Sequence, residues 1–267
     1  LSKDIEIICI GNEILNGTTV EKNSSWLTKR IRQIGGTVSR ITIIRDNFNE
    51  IESTINEALD RKPKWIITSG GLGPTYDDIT IESIGKTLKR NLIYHPDALA
   101  ILKRNYLKRG IKKLNKYQLK MALVPDNSEI IDNSIGTAPS ILIQARDTKI
   151  ICLPGVPIEL RNIFKKKILI MIKDEYSGVF FKEQFFKTIK VRESYIAQFL
   201  EKTIKENNKN DFDLYIKTHA KNPTSNIPKM NIYVSIRGDN EKMVTMIFEN
   251  ILNKIKKEIY RLKGEIL

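Results

Sequence analysis

Trp65-Ile-Ile-Thr-Ser69-Gly70-Gly71-Leu-Gly73-Pro74-Thr75-Tyr-Asp77-Asp78-Ile-Thr80-Ile-Glu82 is the stretch on which the fold turns. Its first residues are apolar and β-branched and are bounded by turn formers, which predicts a buried strand ending near Thr68. Three glycines and a proline follow within residues 70–74, and no regular element survives that density of breakers. Two aspartates come next. Ile81, Ile84 and Leu88 then recur at helical spacing, with Asp77 or Asp78 placed to cap the helix. Strand, glycine loop and helix start together make a phosphate-binding device, because small residues let the backbone N–H groups approach a ligand. It is neither of the standard nucleotide loops: no Lys-Ser or Lys-Thr follows the glycines, and the spacing is not G-x-G-x-x-G. Capping needs one aspartate, not two. Paired carboxylates beside a phosphate repel it unless a cation lies between, and hard oxygen donors suit Mg²⁺ or Mn²⁺.

Working toward the N-terminus, Ile5–Ile10 is a near-continuous apolar run of the kind buried on both faces of a parallel sheet. Gly11, Asn12 and Glu13 follow at its carboxyl end, where open α/β sheets bind ligands. A helix with Leu27 and Ile31 on one face closes at Gly35-Gly36. A second strand spans 38–44, with Arg45 and Asp46 at its carboxyl end. Asn47 opens the next helix, and Glu50 stands three residues on, as in a capping box. This strand–helix alternation predicts right-handed crossovers and a mostly parallel sheet with helices on both faces, a three-layer α/β/α domain.

Toward the C-terminus, His95-Pro96-Asp97 starts a helix, and His95 reads as structural rather than catalytic. Residues 115–125 read as a helix stopped by Pro125, and strands at 141–145 and 149–153 flank a hairpin at Arg146-Asp147. Leu153-Pro154-Gly155-Val156-Pro157 then repeats the strand, turn and helix start. The loops 11–17, 69–78 and 153–157 thus converge on one edge of the sheet and make one site from three segments. A polar break near Ser177-Gly178 divides the chain into residues 1–176 and 177–267. The second part follows a β-α-β-β-α order, a small α+β domain with helices on one face. Residues 207–210 read as a polar break and 221–228 as a long, mobile hairpin loop.

Composition narrows the classes. No run approaches the roughly 18 apolar residues of a membrane span, and no signal-peptide pattern opens the sequence, so a cytoplasmic protein is expected. Cys9 and Cys152 sit in apolar strands as core thiols, and two Cys with two His make a zinc site improbable. The net charge of +14 raises nucleic-acid binding, but the lysines are scattered and Asn, Ile and Lys are all abundant, which fits an AT-rich coding bias. Nucleic acid is therefore not the expected main partner.

Gly11-Asn12-Glu13 with Gly17 and Asn23, Ser69-Gly-Gly-Leu-Gly-Pro-Thr-Tyr-Asp-Asp78, Gly136-Thr-Ala-Pro139 and Leu153-Pro-Gly-Val-Pro157 resemble, in order, the CinA (competence/damage-inducible) family. Its N-terminal domain has the molybdopterin-binding fold shared with MoaB and MogA, and residues 180–260 resemble the small KH-like domain that follows. Ser140 departs from the glycine usual there. The family's separate domain with nicotinamide mononucleotide deamidase activity has no counterpart in this sequence, so deamidation is not carried over. The KH-like part has no G-x-x-G loop, so clamping of RNA in the KH manner is not supported. The resemblance implies a divalent-metal-dependent ADP-ribose pyrophosphatase yielding AMP and ribose 5-phosphate. The expected cation is Mg²⁺, Mn²⁺ or Co²⁺, and the expected assembly a homodimer, with a trimer second. On this reading Glu13, Asp77 and Asp78 are the catalytic and metal-holding carboxylates. Gly11, Asn12, Asn23, Ser69, Gly70, Gly71, Gly73, Thr75, Pro154 and Gly155 bind the nucleotide-type ligand. The alternatives are pterin binding with adenylyl transfer, as in molybdenum-cofactor assembly, and a nucleotide-binding module without turnover.

Overall fold

The computed structural model describes residues 4–207, 212–221 and 227–267. Most of the predicted break at 207–210 and of the predicted hairpin loop at 221–228 lies outside the described residues; Asn207 itself ends a helix that begins at Glu193. The chain divides into two compact units at Glu175/Tyr176, with residues 33–35 clustering with the second.

The first unit runs β1 (Ile5–Ile10), α1 (Asn12–Leu15), α2 (Asn23–Gln33), β2 (Val38–Ile44), α3 (Phe48–Asp60), β3 (Trp65–Ser69) and α4 (Thr80–Thr87). It continues through β4 (Leu92–Tyr94), α5 (Pro96–Leu107), α6 (Lys116–Lys120), β5 (Leu123–Pro125), β6 (Ser128–Ile131), β7 (Ser140–Ala145) and β8 (Thr148–Leu153). It closes with α7 (Pro157–Ile163), a π-helical turn at Phe164–Ile168, and α8 (Leu169–Glu175). Six strands form one sheet in the order β2-β1-β3-β8-β7-β6. The first four are parallel, and β7 and β6 run antiparallel on the far side.

Alternation along the strands builds the layers. Ile8, Ile10, Ile66, Ile150 and Cys152 pack with Ile51 and Ile55 of α3, Ile84 of α4 and Leu102 of α5. Glu6 points to that side as well. It is buried and held by Arg61 through Nε at 2.8 Å and Nη2 at 2.9 Å. The opposite face carries α2 and the 157–175 helical segment: Asn23 reaches Ser69, Trp26 meets Phe164 edge-on at 5.7 Å, and Lys149 pairs with Glu175 at 2.7 Å. The result is the three-layer α/β/α arrangement with a mostly parallel sheet.

Three local expectations are corrected. Residues 115–125 are not one helix: α6 is five residues long, capped reciprocally by Asn115 and Gln118, and Leu123–Pro125 is strand β5, paired antiparallel with β4. Val124 and Pro125 are buried, and proline is tolerated at a strand end where no ladder N–H is needed. The capping box at Asn47 is half built. Asn47 accepts from the N–H groups of Asn49 and Glu50, but the Glu50 carboxylate accepts from Arg45 N instead of turning back to Asn47. Neither aspartate caps α4, whose N-cap is Ile79 and lacks a side-chain bond.

The second unit contains β9 (Phe180–Ile189), α9 (Glu193–Asn207), β10 (Phe212–Lys221), β11 (Lys229–Gly238), α10 (Glu241–Arg261) and β12 (Glu265–Ile266). Its antiparallel sheet has the order β10-β11-β9-β12. Phe186, Ile216, Ile232 and Val234 form its core with Ile196 of α9 and Phe248 and Ile255 of α10. No described helix is long and apolar enough to cross a membrane.

Candidate functional site

The parallel strands β2, β1, β3 and β8 end side by side, and each is followed by a loop bearing polar residues. Close backbone approach welds these loops together. Gly70, at φ +111°, would place a Cβ 2.1 Å from the Ile10 carbonyl oxygen, and a Cβ on Gly155 would stand 3.3 Å from the Gly70 Cα. The space that Gly70 leaves open is therefore filled by the end of β1 rather than by a ligand. Gly71 serves the same end, since a Cβ there would lie 2.1 Å from Thr80 Oγ1, which donates to Gly70 O at 3.0 Å. Asn23, 7 % exposed at the start of α2, ties two of the loops: its Nδ2 donates to Ser69 Oγ at 3.0 Å and to Gly155 O at 2.8 Å. Its Oδ1 is buried with no partner among the described residues.

The loop 70–78 keeps donors in hand. Gly70 N is used by Leu153 O. The N–H groups of Gly71, Leu72 and Gly73 donate to no acceptor among the described residues. Three successive N–H groups without an acceptor in a tight loop are available to an anion.

The carboxylates stand beside it. Asp78 Oδ2 accepts from Thr75 N at 2.8 Å and from Thr75 Oγ1 at 2.5 Å, and Thr75 Oγ1 also contacts Asp77 Oδ1. One hydroxyl proton serves one carboxylate at a time, so Thr75 draws both acids into a single turn. Gly73 makes room for this, because a Cβ there would sit 2.5 Å from Asp78 Oδ2. Glu13, in the short helix α1 after β1, packs its carboxylate over Gly11. Asn12 contributes its backbone N–H, which donates to Asp46 Oδ2 at 2.8 Å.

Asp46 is a site residue that the strand-end reading located without using. Burial pushes its carboxyl above the usual aspartate range. The Asn12 N–H pulls it partly back, and the charges of Glu13, Asp77 and Asp78 push it up again. Four acids from three strand-end loops thus share one electrostatic neighbourhood. Asp46 Oδ1, Asp77 Oδ2 and Asp78 Oδ1 have no protein partner among the described residues.

A shallow cleft, open in part to solvent, flanks the glycine loop. Gly71, Leu72, Gly73 and Asp78 form one wall, Ile81, Met121 and Ile141 an apolar one, and Glu82 and Lys120 supply charge. Lys120 Nζ donates to Thr75 O at 3.0 Å, which brings a cation to the loop. Lys120 lies in a segment that reads as ordinary polar helix, and only the β4–β5 pairing carries it to this cleft.

The other singled-out residues are structural. His95 caps α5, its Nδ1 accepting from Asp97 N. Asn133 fixes the second glycine cluster, donating to Ala138 O and Glu159 Oε2 and accepting from Gly136 N. Pro154 is buried at the end of β8 beside exposed Gly155.

Among the described residues no group of three His, Cys, Asp or Glu is gathered closely enough to hold a metal ion by itself. The donors are nonetheless hard oxygens beside the unbonded N–H groups of residues 71–73. They fit a cation of the Mg²⁺ type, which is commonly held by one or two carboxylates together with substrate phosphates and water.

A family model described as a probable molybdopterin binding domain matches residues 6–174. A protein of Metallosphaera sedula is 37% identical over 261 residues, covering 98% of this chain and 96% of the relative. A protein of Sulfolobus acidocaldarius is 36% identical over the same shares. The crystal structure of a Thermoplasma acidophilum protein, described as CinA with unknown function, is similar at 36% identity with a TM-score of 0.59. The match covers 65% of this chain and 98% of that one.

Proposed function

The chain belongs to the family of the probable molybdopterin binding domain, and from that premise we propose that it is a divalent-metal-dependent pyrophosphatase acting on a nucleotide diphosphate such as ADP-ribose. The observation that carries this reading is the run of unbonded N–H groups at Gly71, Leu72 and Gly73, set beside Asp46, Asp77 and Asp78. The N–H groups bind the diphosphate, and Lys120 adds positive charge at the cleft. The aromatic base of the nucleotide lies against the apolar wall of Ile81, Met121 and Ile141. Asp77 and Asp78 would hold the cation that accompanies the diphosphate, together with phosphate oxygens and water, with Glu13 reaching it through a water. That cation supplies charge neutralisation and a more acidic water.

In the reaction a water oxygen bonds to one phosphorus, the bridging P–O bond breaks, and AMP and ribose 5-phosphate leave. The water's proton passes to the ionised carboxylate of Asp46, whose affinity for a proton burial and its acidic neighbours raise. No serine or cysteine nucleophile is needed, since phosphoryl transfer rests on positioning and charge stabilisation.

A second reading, pterin binding with adenylyl transfer, is favoured by the family's description and by the apolar wall, which suits a flat ring bearing a phosphate equally well. Product analysis separates the two. The protein is incubated with ADP-ribose, FAD, NADH, or ATP plus molybdopterin, each with Mg²⁺, Mn²⁺, Co²⁺ or EDTA, and AMP is followed by chromatography. AMP and ribose 5-phosphate from ADP-ribose, abolished by EDTA and reduced at least about tenfold in Asp78→Asn, are expected. Adenylylated pterin with no diphosphate cleavage would replace the first reading by the second.

A further inference from the structure

The antiparallel sheet of the second unit carries both of its long helices on one face, and the alternate residues of its strands form the other. Along β9, β11 and β10 the inward positions are Phe186, Ile232 and Ile216 and their period-two neighbours. The outward positions form cross-strand rows. In one, Phe185 faces Tyr233, which faces Lys217. In the next, Lys187 faces Asn231, which faces His219, and beyond it Lys229 faces Lys221. Tyr215, one step along β10, brings its ring to 6.1 Å from that of Tyr233. Phe185 is 48 % exposed and Tyr215 45 %. Lysines at 187, 217, 221 and 229 are exposed toward one end of the strands, while the acids Glu183 and Asp213 lie at the other, where Glu183 accepts from Tyr233 Oη and Asp213 pairs with Arg237.

Flat rings on the outward face of an open sheet, with cations next to them, are what unpaired bases and their phosphates require. Bases stack on aromatic faces and the backbone follows the lysines. We propose that this face binds single-stranded nucleic acid. The chemistry distinguishes that occupant from others. A second copy of the chain presenting the same face would set lysine against lysine, and an acidic peptide would use the lysines but leave the rings idle. Neither the scattered lysines of the sequence nor a G-x-x-G loop signals this site. It arises from the register that places Phe185, Tyr233 and Lys217 in one row.

The test is fluorescence anisotropy of the full chain with short unstructured oligouridine and oligothymidine and with a duplex of equal length, across a salt series. Both single strands are expected to bind in preference to the duplex, and their ratio reports whether the ribose hydroxyl contributes. Phe185→Ala and Tyr215→Ala are each expected to weaken binding about tenfold, given the usual contribution of base–aromatic stacking. Phe185→Tyr should retain it. Lys187→Ala should lower the slope of log K against log salt by about 0.7, the share of one phosphate contact on a single strand. Both aromatic positions are half exposed, and unchanged circular dichroism confirms that the variants fold. The proposal is overturned if neither single strand binds at low salt or if the duplex binds as tightly. It is also overturned if binding survives both aromatic-to-alanine changes undiminished, which would leave only the bulk attraction of a +14 chain.

Discussion

Gly71→Ala isolates what the glycine loop does. The residue sits at φ +66°, where an L side chain carries about 1–2 kcal/mol of strain. Its new Cβ would stand 2.1 Å from Thr80 Oγ1, so the hydroxyl must swing away from the Gly70 carbonyl that it reaches at 3.0 Å. Thr80 is fully buried, and a broken bond there leaves two polar groups without partners, a further loss of about 1–3 kcal/mol. The single variant should therefore lose roughly 2–5 kcal/mol, within the 5–15 kcal/mol typical of a domain. Thr80→Ala removes the obstructing oxygen. On that background Gly71→Ala should cost only the backbone strain and a small shift from the remaining 3.1 Å contact with Thr80 Cβ. Urea unfolding followed by tryptophan fluorescence measures this cleanly, because Trp26 and Trp65 are the chain's two tryptophans and both belong to the first unit. A cost for Gly71→Ala that is the same on both backgrounds, within about 0.5 kcal/mol, would refute the steric account. In the same variants ADP-ribose binding should fall even where the fold is retained, since the N–H groups of residues 71–73 depend on the loop's conformation.

Three further outcomes follow from the charges and thiols. Burial raises the Asp46 carboxyl, so the folded state holds that proton more tightly than the unfolded chain and stability falls as pH climbs above the ordinary value of 3.8. Asp46→Asn should therefore gain stability relative to the parent at pH 7 and lose that gain on acidification; a larger gain in acid than at neutrality would reverse the assignment. Cys9 and Cys152 are both pushed up to about 12, chiefly by burial, so a thiol reagent at mildly alkaline pH should find neither in the native protein and both after unfolding. Arg61→Ala leaves the buried Glu6 carboxylate uncompensated and should destabilise by about 3 kcal/mol, the lower end of the range because Arg61 is one-third exposed. Urea unfolding of the variant checks this, and a loss below about 1 kcal/mol would mean that the pair contributes no more than an exposed ion pair does.

The parallel half of the sheet was legible because each of its strands is a short apolar run punctuated by glycine, proline or aspartate. Val38–Ile44 is bounded by the structure where the pattern places it. The antiparallel half was less so. Ser128–Ile131 has only two apolar residues, and its partner β7 lies on its far side in sequence, so nothing local marks it as a strand. Leu123–Pro125 carries a helix-like approach and a helix-stopping proline, and only its pairing with β4 overrides that preference.

The site divides along the same line. Glu13, Asp77 and Asp78 could be picked out because they follow the ends of β1 and β3 beside glycines. Asp46 also follows a strand end, but no glycine accompanies it, and its importance appears only when the end of β1 is set beside it and the Asn12 N–H points at its carboxylate. The glycines were legible as small residues near a ligand, yet the structure gives Gly70 and Gly71 a different first task. They let β1, β3 and α4 meet at distances that a Cβ would forbid, and the ligand-facing consequence is indirect. The loop held by those contacts is what leaves residues 71–73 with unspent N–H groups. A substitution that respected size at the ligand but not at Ile10 or Thr80 would therefore remove the site from beneath rather than block it from above. For that reason loss of binding at these glycines should always come with loss of stability, whereas loss at Asp77 or Asp78 should not.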